Sequence, residues 1–259
     1  MDLPTIGPWI PGVIALAQPW LIALSKKLRK GRIELYETGS IQIGYSDLGP
    51  TIALTGTLRC IGKDIFIKQI TLQVTRKRDA AQHNFSWHAF RSNQIALGDQ
   101  KNAGIELATS FLCTTTQPHR YNIVFTENTF LSEYGPKVQP FIQEWRTFIN
   151  NKLADNATFS IDQSVFKEFS DTGKVVDTYT LLDRAFYWEE GAYQLRFIVQ
   201  AANPDRSFPK VWEFVLSREE SARIRINTIA ILQNICGVNA IYNFGCCASK
   251  PGNIDLTST

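Results

Sequence analysis

The chain has 259 residues, of which 44% are hydrophobic and 20% are charged, a composition typical of a globular protein with a sizeable core. A net charge of +3 is too small for the concentrated basic face that binding to phosphate backbones requires, so no nucleic-acid partner is expected. The five cysteines are an odd number at irregular spacing, which argues against a disulfide framework and favours reduced thiols in the cytoplasm.

Residues 3–25 form an uncharged apolar segment, and a basic cluster follows it directly. The run is as long as the roughly 20 residues that a membrane-spanning helix needs. Its positive charge lies after the apolar part and Asp2 lies before it, which is the reverse of a secretory signal peptide. This order predicts that residues 1–31 contact a membrane or a partner protein, with the basic flank in the cytoplasm. The expected contact residues are Trp9, Ile10, Val13, Ile14, Leu16, Trp20, Leu21, Ile22, Lys26, Lys27, Arg29, Lys30 and Arg32.

Three prolines, Pro8, Pro11 and Pro19, interrupt this segment and disfavour a straight spanning helix. We expect a broken apolar part that ends at Gln18 and a short helix from Pro19 to Lys30, because proline suits the first turn of a helix. A helix with an apolar start and a basic end fits the surface of an anionic bilayer. Two alternatives stay open: the segment packs against the chain's own body, or it is buried in an oligomer or a hydrophobic partner protein.

From Arg32 onward, apolar and polar residues alternate with the period of two that is typical of half-buried strands. The phase of the alternation changes between Ile67 and Ile70, which predicts a β-bulge or a bend there. Roughly eight to ten such strands predict a mainly β chain, folded as an antiparallel β-sandwich of immunoglobulin-like or arrestin-like type. The alternating apolar residues include Ile41, Ile43 and Tyr45, then Ile52, Leu54, Leu58 and Cys60, then Leu72 and Val74, and later Tyr193, Leu195, Phe197 and Val199.

Two amphipathic helices are expected among the strands. Residues 137–153 place apolar side chains at helical spacing, from Val138 to Leu153. Residues 218–235 follow Ser217, which begins the Ser-x-x-Glu pattern of a capping box, in which a hydroxyl and a carboxylate satisfy backbone N–H groups reciprocally.

The expected organisation follows from these elements. The N-terminal segment covers 1–31, and the β-sandwich body covers 32–259. No internal repeat or low-complexity linker divides the body, so it is either one unit or two lobes. In the second case the lobes are 32–127 and 160–259, joined by the helix over 137–153.

No pattern in the sequence predicts a catalytic residue, a metal site or a cofactor. The histidines His83 and His88 lie five positions apart on an expected strand, so their side chains face opposite sides, and His119 is isolated. Adjacent Cys246 and Cys247 lack the paired spacing of a zinc site. Reversible acylation is considered for these two cysteines, because cysteines near a membrane-associated element can be palmitoylated.

Two charged stretches are expected to be solvated. Glu189 and Glu190 lie beside aromatic residues, and paired carboxylates can serve glycoside hydrolysis, but neighbours on a strand point to opposite faces. We therefore expect these acids in a turn. The run Arg76–Asp79 is expected to form an exposed loop.

These observations favour a non-enzymatic binding or adaptor protein in the cytoplasm, held at a membrane surface or a hydrophobic partner by residues 3–30. Three other functions stay open. The first is a membrane-perturbing effector whose N-terminal segment is released on a trigger. The second is a hydrolase whose site is assembled from residues distant in sequence. The third is an oligomeric structural subunit, in which the N-terminal segment packs against neighbouring copies of the chain.

Overall fold

The structure is a computed structural model that describes residue 20 and residues 31–91, 105–155, 159–171, 173–202 and 205–252. Strands make up 47% and helices 31%, which confirms a mainly β chain. The strands are β1 (Arg32–Ser46), β2 (Gly49–Ile61), β3 (Ile65–Arg76), β4 (Gln82–Arg91), β5 (Ile105–Leu107), β6 (Phe111–Cys113), β7 (His119–Glu127), β8 (Gly191–Ala202), β9 (Arg206–Leu216), β10 (Phe244–Ala248) and β11 (Lys250–Pro251). The helices are α1 (Phe130–Asp155), α2 (Gln163–Ser170), α3 (Lys174–Arg184), α4 (Arg218–Arg225) and α5 (Asn227–Ile235).

The described strands belong to one antiparallel sheet in the order β10-β1-β2-β7-β4-β3-β8-β9-β11, with β5 paired to β4 and β6 to β3. The two ends of this order come together, because β10 and β11 follow each other directly in the chain. Strand β10 pairs with β1 at one end of the order, and β11 pairs with β9 at the other. The sheet is therefore nearly closed into a barrel. The predicted sandwich type is not confirmed, since the strands form one curled sheet rather than two separate layers. Strands before and after α1 share this sheet through the pairing of β3 with β8.

The alternating apolar residues named above for β1, β2, β3 and β8 are buried, whereas Ile105 and Leu107 of β5, which also alternate in the sequence, are 71% and 73% exposed. Ile41, Ile43 and Tyr45 of β1 are at most 1% exposed. The predicted change of phase in β3 is confirmed by a register shift between Ile67 and Gln69 in its pairing with β8. A shift of one residue turns the following side chains to the other face, so both halves of β3 keep their apolar residues in the core.

Helix α1 contains the predicted helix over 137–153 and begins earlier, at Phe130. The sequence concealed this extension because Pro136 lies inside the helix, where proline removes a backbone donor and usually ends helical structure. Four apolar side chains at helical spacing are buried along α1, namely Val138, Phe141, Trp145 and Ile149.

The helix predicted over 218–235 is divided at Ile226 into α4 and α5. Ser217 Oγ accepts a hydrogen bond from Glu220 N, as the first half of the predicted capping box requires. The Glu220 carboxylate has a different role from the predicted one, because its Oε1 accepts from Cys246 N in β10 at 3.2 Å. Glu220 therefore joins α4 to the sheet.

The helices pack at the end of the sheet where β1 ends. Tyr45 Oη donates to the carbonyl of Leu182 in α3 at 2.7 Å, and the Tyr45 ring meets Phe130 of α1 edge-on with centroids 5.9 Å apart. Asn227 at the start of α5 is fully buried, and its Nδ2 donates to the carbonyls of Tyr45 and Asn243 at 2.9 and 2.8 Å. The first residues of β1 lie at the opposite end of the sheet, away from these contacts.

Candidate functional site

A cleft of about 500 Å³ lies between the start of β1 and the start of β9, and we call it the seam. Its walls are residues 32–36 of β1 and 207–210 of β9. At the other end of these strands β10 and β11 fill the space between β1 and β9, through the pairs Ile41 with Cys247 and Trp212 with Pro251. The seam is therefore the part of the circumference that the described strands leave unpaired.

The edge of β9 that faces the seam is defined by its hydrogen bonds. Gly252 N donates to the carbonyl of Val211 at 3.0 Å, so the backbone groups of Val211 point away from β8. Backbone groups alternate along an antiparallel strand, so those of Pro209 and Ser207 point to the seam as well. Proline has no N–H group and is tolerated in a strand where that group is not needed by the neighbouring strand, which explains Pro209 inside β9.

Polar side chains line the interior next to the seam. Glu37, Gly56 and Tyr121 lie in one row across β1, β2 and β7, and opposite residues of antiparallel strands face the same side. Gly56 leaves room for the Tyr121 phenol, since a Cβ there would lie 2.5 Å from Tyr121 Oη. The glycine therefore lets the tyrosine cross β2 towards Glu37.

Two donors next to the seam are buried without a hydrogen-bond partner among the described residues. They are Tyr121 Oη and Trp212 Nε1, and both side chains are 1% exposed. Both rings contact Phe197, with centroids 5.9 Å and 5.4 Å apart, so the two donors belong to one cluster. A buried polar group without a partner costs free energy, so these atoms indicate a place where an acceptor is expected.

Opposite charges flank this cluster. Burial raises the pKa of Glu37, and the positive charge of Lys210 acts in the opposite direction. Lys210 pairs with the buried Phe197 across β8 and β9, so its side chain is on the inner face of the sheet. It is nevertheless exposed, because the seam is open beside it. The seam therefore combines unpaired strand edges with a carboxyl group, an ammonium group and two buried donors.

The three histidines are not brought together. His83 Nδ1 lies 3.6 Å from Glu127 Oε1 and its ring packs on Tyr187 with centroids 4.1 Å apart. His88 lies in the same strand, where the pairing of β4 with β7 shifts register between Trp87 and Ala89. His119 stacks on Phe111 and lines a cleft of about 780 Å³, and burial lowers its pKa. The described residues that line that cleft include no carboxylate.

The charged run Arg76–Asp79 forms the predicted exposed loop at residues 77–79, but Arg76 is the last residue of β3 and is half-buried. The Arg76 side chain is only 13% exposed, and its Nη1 lies 3.1 Å from Glu189 Oε2. Arg76 also donates to Asp79 and lies over the Tyr187 ring, while Arg78 pairs with Glu189. Glu189 therefore joins the β3–β4 turn to the segment before β8.

The cysteines considered for acylation differ in accessibility. Cys246 is exposed, whereas Cys247 is buried with its Sγ 3.8 Å from Glu220 Oε2. Burial and the nearby Glu220 carboxylate raise the pKa of Cys247 to about 12, which disfavours its nucleophilic thiolate. Among the described residues, no group of three His, Cys, Asp or Glu side chains is arranged to hold a metal ion.

The predicted N-terminal contact residues lie outside the described residues, except for two. Trp20 is 80% exposed. Arg32 begins β1, and its Nη2 lies 3.3 Å from Glu34 Oε1 with 73% of the arginine side chain exposed. Within the part of the chain that the structure describes, no helix has both the length and the apolar character needed to cross a membrane.

Sequence reasoning missed the seam. One signal was available in β1: Glu37 stands at a position where the alternation of Ile33 and Leu35 predicts an apolar residue. A second signal was Pro209 followed by Lys210 inside an otherwise regular strand, a combination typical of unpaired strand edges.

The chain was also compared with known proteins. No protein-family model, curated protein or solved structure matches this chain.

Proposed function

We propose that the protein is a non-enzymatic binding or adaptor protein that receives an extended polypeptide segment of a partner in the seam. Residues 3–30 hold it at a membrane surface or a hydrophobic partner on the cytoplasmic side. The observation that supports the binding role most directly is that the described strands leave the edges of β1 and β9 unpaired, beside two buried donors that have no partner among the described residues.

The unpaired edges favour an extended ligand. A peptide that adds as a strand gains affinity from main-chain hydrogen bonds and specificity from alternate side chains. Strands β1 and β9 are both antiparallel to the β10–β11 segment that lies between them. A ligand strand that runs in the same direction as the β10–β11 segment would continue it and hydrogen-bond to both β1 and β9.

The side chains of the seam favour a ligand with amide or carboxylate groups at every second residue. Tyr121 Oη and Trp212 Nε1 each donate a hydrogen bond, and Lys210 adds a positive charge. An asparagine side chain accepts from such donors with its oxygen and can donate to Glu37 with its nitrogen. The alternate residues of the ligand would face outward.

Binding of a designed probe tests this proposal. The probe is acetyl-Thr-Asn-Val-Asn-Val-Thr-amide, which places asparagine on one face and valine on the other. Calorimetric titration is expected to show binding of the probe to the full chain. Ser207→Pro removes a seam-facing N–H and should weaken binding at least about tenfold, while Ser207→Ala keeps that donor and should leave the affinity unchanged.

A side-chain variant sharpens this test. Tyr121→Phe deletes a buried hydroxyl that has no hydrogen-bond partner among the described residues, so the free energy of unfolding should not fall. Affinity for the probe should fall about fivefold, the equivalent of one hydrogen bond. Absence of probe binding by the full chain, or probe binding that Ser207→Pro leaves intact, would contradict the proposal.

Membrane contact by the N-terminal segment is tested by fractionation. The full chain is expected in the membrane fraction after a carbonate wash, whereas a chain lacking residues 1–31 should be released. The basic cluster from Lys26 to Arg32 gives a matched control, because exchanging its cations for glutamine should weaken binding to anionic vesicles. If the full chain also stays in the supernatant, the membrane role is wrong.

A further inference from the structure

The cleft of about 780 Å³ beside His119 lies where the turn between β6 and β7 meets β2. Thr57 of β2, Leu112 of β6 and the first two residues of β7, His119 and Arg120, contribute side chains to it. None of its described lining residues belongs to the seam. The cleft is therefore a candidate site of its own, and what it binds does not depend on the peptide proposed for the seam.

Two arginines lie on the same side of the sheet at this cleft. Thr57 and Arg120 are opposite each other in the antiparallel pair of β2 with β7, so their side chains share one face. That face is the outer one, because Leu58 and Cys60 on the other face of β2 are buried. Arg59 follows Thr57 by two positions and is therefore a diagonal neighbour of Arg120, within reach of a long side chain. Both arginines are exposed, and an anion between them would relieve the repulsion of their charges.

The carboxylate opposite Arg59 is engaged by other groups. Glu34 of β1 pairs with Arg59 in the sheet. Its Oε1 lies 3.3 Å from Arg32 Nη2, and its Oε2 accepts from Tyr36 Oη at 2.7 Å. Within the part of the chain that the structure describes, neither Arg59 nor Arg120 forms an ion pair. Their charges are therefore available to an anionic ligand.

The turn between β6 and β7 is held by its own hydrogen bonds. Thr114 Oγ1 accepts from Gln117 N at 3.3 Å. Asp64 Oδ1 accepts from the N and Oγ1 of Thr115 at 2.7 and 2.9 Å, so this carboxylate serves the turn. The wall of the cleft next to β7 is therefore fixed before any ligand arrives.

His119 and Leu112 give the cleft a neutral donor and an apolar wall. Burial lowers the pKa of His119, so its imidazole is neutral near neutral pH and offers one N–H. Its ring stacks on Phe111 with centroids 4.1 Å apart, which fixes its position. Leu112 is 55% exposed and pairs with Phe66, which is 44% exposed on the same face. The arginines thus lie beside an apolar surface.

We propose that this cleft binds a phosphate monoester that carries an apolar group, with the phosphate between Arg59 and Arg120 and the apolar group along Leu112. Guanidinium groups recognise phosphate through two parallel hydrogen bonds, which makes arginine the preferred partner of this group. The Thr57 hydroxyl lies opposite Arg120 and adds a donor. A soluble phosphate ester and the headgroup of phosphatidic acid present the same chemistry, and the test separates these two sources.

Calorimetric titration of the full chain with phenyl phosphate tests the soluble ester. Arg120→Gln should weaken binding at least about tenfold, because it removes a charged donor from the phosphate. Arg218→Gln is the matched control, since it removes an exposed cation from α4, among the helices at the other end of the sheet, and should leave the affinity unchanged. Arg120 is exposed, so its replacement should leave the melting temperature unchanged.

The imidazole NMR signals of His119 locate the ligand. A phosphate dianion nearby favours the charged imidazole, so phenyl phosphate should raise the pKa of His119 in the unmodified chain. The same addition should have a much smaller effect in Arg120→Gln. A His119 titration that phenyl phosphate leaves unchanged would overturn binding in this cleft.

Flotation with phosphatidylcholine vesicles, with and without phosphatidic acid, tests the lipid source. The N-terminal segment is the same in all three chains, so only a difference between them reports on the cleft. Weaker binding of Arg120→Gln to the phosphatidic acid vesicles supports a lipid headgroup, and weaker binding to phenyl phosphate alone supports a soluble ester. Equal binding of the unmodified chain, Arg120→Gln and Arg218→Gln to both probes, or binding to neither, would overturn the proposal.

Discussion

Replacing Trp188 with alanine is expected to lower the free energy of unfolding by about 4 kcal/mol, within the range for large-to-small changes in a core. Trp188 is 0% exposed, and its Nε1 donates to the carbonyl of Gly44 in β1 at 2.8 Å. Its ring stacks on Phe85 with centroids 5.9 Å apart, and it also contacts Tyr193 at 5.7 Å. The side chain therefore contacts residues of β1, β4 and β8 in the core.

Chemical denaturation followed by circular dichroism measures this loss without depending on tryptophan fluorescence. Trp188→Phe keeps much of the buried area but leaves the Gly44 carbonyl without its donor, so a loss of about 1 to 2 kcal/mol is expected. Ile241→Ala is the matched control, because Ile241 is 91% exposed and should change stability by less than about 0.5 kcal/mol. A loss below about 1.5 kcal/mol for Trp188→Ala would contradict this account of the core.

Replacing Glu127 with alanine is expected to lower the free energy of unfolding by about 2 kcal/mol, because the change leaves charged-group hydrogen bonds unmade at a buried position. The Glu127 carboxylate accepts from Thr129 N at 2.8 Å and from Phe130 N at 2.6 Å. Phe130 begins α1, so the negative charge lies at the positive end of the helix dipole. The residue therefore fixes the junction of β7 and α1.

The same carboxylate predicts a pH dependence. Burial by itself raises the pKa of Glu127, but hydrogen bonds from His83, Thr129 and Phe130 outweigh it, and the pKa lies below its usual value. A lowered pKa in the folded state gives stability that is present above the unfolded pKa of about 4.3 and is lost as the pH falls through the folded pKa.

Denaturation at several pH values between about 6 and 2.5 measures this dependence, and the window follows from the unfolded pKa of about 4.3. Glu127→Gln keeps an acceptor of similar shape but cannot titrate, so its stability should fall less over the acid range. If the unmodified chain and Glu127→Gln lose stability in parallel, the carboxylate makes no net contribution through its charge.

The sequence by itself determined most of the long strands and their inner faces, but not the short strands β10 and β11. Alternation at Ile41, Ile43 and Tyr45 identified the buried side of β1, and the change of phase after Ile67 located the register shift in β3. These features are local, because a strand with one buried face has a period of two whatever strand lies beside it. For the same reason, the helical spacing over 137–153 was sufficient to locate the centre of α1.

Only the tertiary structure decided how the strands join and where the candidate site lies. Whether strands form two layers or one nearly closed sheet depends on which edges pair, and the pairing of β10 with β1 joins residues about two hundred positions apart in sequence order. The helices α2 and α3 were missed because their apolar runs are short. The seam exists only because the edges of β1 and β9 approach without meeting, and so Glu37, Tyr121 and Lys210 become neighbours through register, which no local pattern records.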